Sequence, residues 1–146
     1  MVQDLYREVI LAHYRSPANR HPLPDATAHG YAHNPLCGDE LTVFARVGEQ
    51  RLVDAAYEAQ GCSIAHASAD MMVDLVKGKD LREVKRLISL FEEMVEGGDS
   101  APTDQLGALQ VFREVRRFPV RVKCAVLPWT TLRASLDGAP DGTAGR

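Results

Sequence analysis

Three cysteines and one aspartate are the residues whose types and spacing invite chemistry. Cys37 and Asp39 stand two positions apart in Asn34-Pro35-Leu36-Cys37-Gly38-Asp39-Glu40, with only Gly38 between them. Glycine lets the chain turn sharply, so a thiol and a carboxylate flanking it can converge on one point. Cys62 and Cys124 are the other two thiols, and each cysteine falls at a junction between elements instead of inside a periodic apolar face. Three sulfurs and one oxygen suit tetrahedral Zn²⁺, and they also suit iron in a cluster. An odd number of thiols does not close into disulfides. The plain alternative is three small core residues. No Cys-x-x-Cys pair is present and Cys-x-Asp recurs by chance, so spacing alone leaves both readings open.

The flanks of the thiols add to this. Cys62 directly precedes a helical pattern, and Cys124 lies near the start of the last one. Unpaired amides and the dipole at a helix N-terminus favour thiolate over thiol. Three thiolates and a carboxylate around a divalent ion leave negative charge in excess, and Lys123, beside Cys124, is the candidate to offset it; the alternative is an ordinary solvated lysine. His66 follows Cys62 by one helical turn and shares its face, where it is either an alternative ligand or, the favoured reading, a packed or hydrogen-bonded neighbour. His13, His21, His29 and His33 have no partner at ligand spacing and read as surface or packing residues.

The elements that must position these groups follow from periodicity. Leu5, Val9, Ile10 and Tyr14 recur at three- and four-residue steps over residues 3–15, which predicts an amphipathic helix stopped by Ser16-Pro17. Residues 18–35 show no sustained period and are expected to form an irregular connection. Residues 41–47 alternate, 48–50 are turn-like and 52–59 are extended, which predicts an antiparallel hairpin. A helix over 63–76 follows, then a second over 81–95 capped by Asp80, with Leu81, Val84, Leu87, Ile88, Phe91 and Met94 on one face. Residues 97–102 break the pattern, and 103–115 form a shorter helical stretch. The last helix runs from about residue 120 to 136, anchored by Trp129, with Pro128 in its first turn or kinking it. Hairpin followed by helices predicts an α+β fold: a small antiparallel sheet packed against several α-helices. One domain over residues 1–136 and a disordered tail over 137–146 complete the expected organisation.

Composition narrows the partners. Of 146 residues, 17 are Lys or Arg and 20 are Asp or Glu, a formal charge of -3. No positive field gathers nucleic acid or anionic lipid. No apolar run approaches the roughly 20 residues that span a bilayer, and the amphipathic N-terminus with Asp4 is unlike a signal peptide. The expected location is the cytoplasm, where thiols stay reduced.

Three segments, NPLCGDE (34–40), QGCSIAHAS (60–68) and RVKCAVLPW (121–129), resemble in order the cysteine motifs of the IscU/SufU/NifU-type iron-sulfur cluster assembly proteins. The opening DLYREVILAHYRSPANR (4–20) resembles the SufU branch, so the likeness covers most of residues 4–133. It implies an IscU-like fold and makes Cys37, Asp39, Cys62 and Cys124 the ligands of Zn²⁺, or of iron or a [2Fe-2S] cluster. Lys123 stands where IscU proteins carry histidine, and the spacing from Cys62 to Cys124 is longer, with extra sequence around residues 97–115. Both features are similar to SufU. Arg117-Phe118-Pro119-Val120-Arg121 replaces the chaperone-recognition run of IscU. The implied activity is zinc-dependent sulfur transfer: Cys37, on its glycine-flanked loop, accepts persulfide sulfur from a PLP-dependent cysteine desulfurase for downstream iron-sulfur assembly proteins. The alternative is a scaffold that assembles and transfers a [2Fe-2S] cluster, and a purely structural zinc domain is the third reading.

Overall fold

The computed structural model describes residues 2–35, 37–98, 102–138 and 142–143, with the backbone alone for 2–4, 142 and 143. The chain runs α1 (Val2–Arg15), β1 (Ala28–Asn34), β2 (Asp39–Gly48), β3 (Arg51–Gln60), α2 (Ser63–Val76), α3 (Leu81–Val95), a 3₁₀ stretch (Asp104–Arg117) broken at Gly107, α4 (Pro119–Leu136) and β4 (Gly142–Thr143). The three long strands pair antiparallel in the order β3-β2-β1, and β4 lies parallel to β1 beside Ala32 and His33. This is the α+β arrangement that the periodicity predicts.

The β2–β3 hairpin turns through Glu49 and Gln50, both at positive φ (53° and 66°). Two left-handed residues give the turn a twist that matches the flanking strands. On β2, Leu41, Val43 and Ala45 are buried and face the helices, while Thr42, Phe44 and Arg46 are partly exposed. The sheet therefore buries one face and wets the other.

β1 corrects the expectation of an irregular connection over residues 18–35. It pairs with β2 from Ala28↔Ala45 to Asn34↔Asp39, and its burial alternates, with Gly30, Ala32 and Asn34 inward. Those positions are small because α4 crosses there: a Cβ on Gly30 would lie 3.1 Å from the Thr131 carbonyl oxygen and 3.2 Å from Ser135 Cβ. The strand is silent in a hydrophobic pattern because close helix packing has removed the large apolar side chains that signal one.

α4 is held from both ends of its buried face. Trp129 is fully buried, stacks on Phe91 of α3 at 4.2 Å and donates from Nε1 to Ser68 Oγ at 2.9 Å. Ser68 in turn donates to the Ala125 carbonyl at 2.6 Å. Pro128 sits inside the helix, not in its first turn, where Pro119 is found. A proline at 128 has no N–H for the carbonyl of residue 124, so the helix beside Cys124 is fixed by its packing on α2 through Ser68. α1 packs on α2 through Ile10, with Tyr6 and Val9 partly buried. Leu5 is 53% exposed, so the buried stripe of α1 is turned away from it.

Of the tail, Asp137 and Gly138 close α4 by donating to the Arg133 and Ser135 carbonyls, and β4 lies along β1. Residues 139–141 and 144–146 lie outside those described. Among the described residues, no helix is long and apolar enough to cross a membrane.

Candidate metal centre

The β1–β2 connection, the start of α2 and the first turns of α4 meet at one end of the sheet. Cys37 Sγ and Cys124 Sγ approach to 3.0 Å. Cys37, Asp39 and Cys124 each place a ligand atom within 4.8 Å of the others', and Cys62 Sγ is 3.8 Å from Asp39 Oδ2. All four residues picked out in the sequence are thus brought together. A tetrahedral Zn²⁺ with Zn–S near 2.3 Å and Zn–O near 2.0 Å has ligand–ligand edges of roughly 3.3–3.8 Å. Cys37, Asp39 and Cys124 lie within the span such an ion needs, and Cys62 adjoins them through Asp39.

Local backbone makes this possible. Gly38 turns at φ 71° with open space where a side chain would be. The Cys37 and Gly38 amides both donate to the Asn34 carbonyl, at 3.3 and 2.9 Å, which tightens the loop. Gly61, at φ 128°, has no room for a side chain, because a Cβ there would sit 2.2 Å from Asp39 Oδ1. The Cys62 amide donates to that same oxygen at 2.9 Å. Asp39 is fully buried with one oxygen tethered, which leaves Oδ2 turned toward the sulfurs. Such an outer hydrogen bond orients a ligating carboxylate.

The thiols differ in exposure and acidity. Cys124 is buried, while Cys37 and Cys62 are half-buried. A hydrogen bond from Cys124, together with the amides of Ile64 and Ala65 at the α2 N-terminus, draws the Cys62 thiol down to about 7 against the penalty of burial. Cys124 is pushed well above the ordinary thiol range, first as the donor to Cys62, then by burial and by its contacts with Asp39 and Cys37. Within the cluster Cys62 is the more acidic thiol and Cys124 the one that holds its proton more tightly. A metal ion would displace that proton on binding.

Two neighbours went unread in the sequence. Buried Asn34 points its Nδ2 at Cys37 Sγ (3.6 Å) and Cys124 Sγ (4.0 Å), and such donors favour charged sulfur. A cleft of about 530 Å³ opens over the cysteines, walled by Tyr6 and Ile10 of α1 and by Phe118 and Arg121. Arg121 stands one turn before Cys124 on the same face of α4. Lys123 is exposed, lies outside the cleft lining and makes no ion pair among the described residues. The i−3 spacing from Cys124 is the signal in the sequence that could have pointed to Arg121.

His66 is turned from the sulfurs. Its ring nitrogens lie 3.0 Å from the Cys62 carbonyl and 3.1 Å from the Ala59 carbonyl, and Tyr14 packs edge-on at 5.0 Å. It joins β3 to α2 as a buried hydrogen-bonded neighbour. His13, read as a surface or packing residue without a partner at ligand spacing, is bonded to Asp70 across α1 and α2 at 2.5 Å.

Comparison with known proteins identifies the family. Residues 5–125 match the model of the NifU-like N terminal domain. The zinc-dependent sulfurtransferase SufU of Bacillus subtilis is 37% identical over 90% of this chain and 88% of its own. The iron-sulfur cluster assembly scaffold protein IscU of Streptococcus pyogenes is 33% identical over 92% of this chain and 84% of its own. A solved structure of a candidate iron-sulfur cluster assembly scaffold protein for the SUF system, from Fervidobacterium islandicum AW-1, superposes with a TM-score of 0.86 at 30% identity, covering 92% of this chain and 98% of that one. With three thiols and a carboxylate gathered as the sequence motifs require, the chain belongs to the NifU-like N-terminal domain family, the IscU/SufU proteins of iron-sulfur cluster assembly.

Proposed function

We propose that this protein is a zinc-dependent sulfur relay, which accepts persulfide sulfur from a PLP-dependent cysteine desulfurase and hands it to downstream iron-sulfur assembly proteins in the cytoplasm. The observation that carries the reading is the placement of Cys37: half-buried and on a glycine-flanked loop in the wall of the open cleft, which Cys62 and buried Cys124 also line from helix starts, while Asp39 is fully buried. Zn²⁺ held by Cys37, Asp39, Cys62 and Cys124 would keep the sulfurs ionised yet shielded. The likeness to the Bacillus subtilis sulfurtransferase supports the same reading.

The Cys37 thiolate attacks the outer sulfur of the partner's persulfide. A new S–S bond forms on Cys37 as the partner's S–S bond breaks, and the partner's cysteine leaves as a thiolate. Asn34 Nδ2 donates to the Cys37 sulfur at 3.6 Å and steadies its position. Arg121 supplies positive charge in the cleft through which the anionic persulfide must come. Asp39, tethered by the Cys62 amide, is the fixed member of the set, and the loop residue Cys37 is the one placed to move.

The test is Cys37→Ala. Desulfurase turnover in its presence falls to the level without this protein while circular dichroism stays native; unchanged stimulation rejects the assignment. The scaffold reading draws on the same donors and on the likeness to the Streptococcus pyogenes protein. Asp39→Ala separates the two, because it traps a visible [2Fe-2S] chromophore on a scaffold and lowers zinc content and sulfur acceptance on a relay.

A further inference from the structure

The sulfurs of Cys37 and Cys124 are in direct contact at 3.0 Å, a gap that exceeds a disulfide bond by about 1 Å. One side of this pair is fixed and the other can move. Cys124 is buried, and its part of α4 is held on α2 by the bond from Ser68 Oγ to the Ala125 carbonyl at 2.6 Å. Cys37 is half-buried on a loop that Gly38 turns at φ 71°, with open space beside the glycine. A single amide reaches both sulfurs, since Asn34 Nδ2 lies 3.6 Å from Cys37 Sγ and 4.0 Å from Cys124 Sγ.

The cargo of the relay gives such a pair a use. Persulfide sulfur arrives at the oxidation level of the element, whereas an iron-sulfur cluster takes up sulfide, two electrons lower. A pair of thiols that closes to a disulfide supplies two electrons.

We propose that Cys124 is a resolving thiol, a deepening that rests on the relay reading above: it attacks Cys37 Sγ once Cys37 carries a persulfide, and the carried sulfur leaves as sulfide. A bond forms between Cys37 Sγ and Cys124 Sγ as the bond from Cys37 Sγ to the outer sulfur breaks, and the outer sulfur departs with that electron pair. From the Cys124 thiolate the product is HS⁻; from the thiol, the Cys124 proton leaves with the sulfur as H₂S. The two cysteines are oxidised to a disulfide and the sulfane sulfur is reduced. A dithiol reductant then returns the pair to thiols. The inner sulfur is the target because it is the atom that Cys124 touches, and the cleft lined by Cys37 offers the outer sulfur a way out. Contact within one chain spares Cys124 any need for solvent exposure.

Zinc-loaded full-length chain is given persulfide in oxygen-free buffer, once with inorganic polysulfide and once with the desulfurase and cysteine, then desalted. Released sulfide is measured colorimetrically, and intact mass and peptide maps follow the chain. The wild type is expected to release sulfide equal to the sulfur loaded, to end two hydrogens lighter than the reduced protein, and to show the Cys37 and Cys124 peptides joined. Cys124→Ser is expected to keep the mass of the added sulfur and to lose sulfide release. A wild type that retains the added sulfur, a bridge from Cys37 to Cys62, or undiminished release from Cys124→Ser each overturns the proposal. Should Cys124→Ser lose its native circular dichroism, the wild-type bridge map decides alone. Loading by polysulfide but not by the desulfurase rejects the relay reading, and the polysulfide arm still decides the role of Cys124.

Discussion

The backbone N–H of Cys62 donates to Asp39 Oδ1 over 2.9 Å, across a glycine that has no room for a methyl group. That one contact fixes the buried carboxylate of β2 against the thiol that opens α2, 23 positions away in sequence and adjacent in space. Gly61→Ala must push Asp39 back and also strain a φ of 128°. The fold should lose about 1–3 kcal/mol, and zinc affinity should fall about 10–100-fold as the orienting hydrogen bond is lost. Urea unfolding of metal-free protein and a chelator competition read the two effects separately.

The thiol acidities predict an unusual pH response in metal-free protein. With Cys62 titrating at about 7, its alkylation by iodoacetamide should rise through a midpoint near that pH, while Cys124 stays unreactive. An unfolded thiol titrates near 8.5, so between 7 and 8.5 the unfolded chain binds more protons and stability rises with pH. Above about 8.5 the unfolded chain also loses the Cys124 proton that the fold retains, and stability falls again. A flat profile of unfolding midpoint against pH, or a Cys62 midpoint near 9, would refute this account.

Ser68 is a single hydroxyl serving two buried partners, the Trp129 Nε1 and the Ala125 carbonyl. Ser68→Ala leaves both without it, at a cost of about 1–3 kcal/mol. Because Ala125 adjoins Cys124, the same variant should also weaken zinc retention. Loss of stability without any change in metal affinity would show that Cys124 is positioned independently of this bridge.

Arg121 and Lys123 flank the same stretch of α4 but face different ways. Arg121→Gln should slow desulfurase-stimulated turnover several-fold, with the effect shrinking at high salt. Lys123→Gln should leave turnover close to wild type. Equal losses in the two variants would mean that general positive charge, and not its place in the cleft, matters.

Residue types and their immediate neighbours determined much of this protein in one dimension. The hairpin over β2 and β3, the glycines beside Cys37 and Cys62 and the apolar face of α3 follow from short-range rules of turn and pattern, while the four-residue donor set rested on the resemblance of three cysteine segments to a known family. Tertiary structure alone decided the rest. β1 escaped notice because its inward residues are Gly30, Ala32 and Asn34, small where α4 crosses closely. Arg121 lines the cleft and the exposed Lys123 does not, because helix rotation, not adjacency in the chain, sets which side chains of α4 face it. His66 turned toward two carbonyls, and His13 found Asp70 on a helix far along the chain, because hydrogen-bond demand is met by whatever packing brings near. The identity of the donors is local chemistry written in the chain; their convergence and their protonation depend on desolvation and on distances between segments, which exist only once those segments pack.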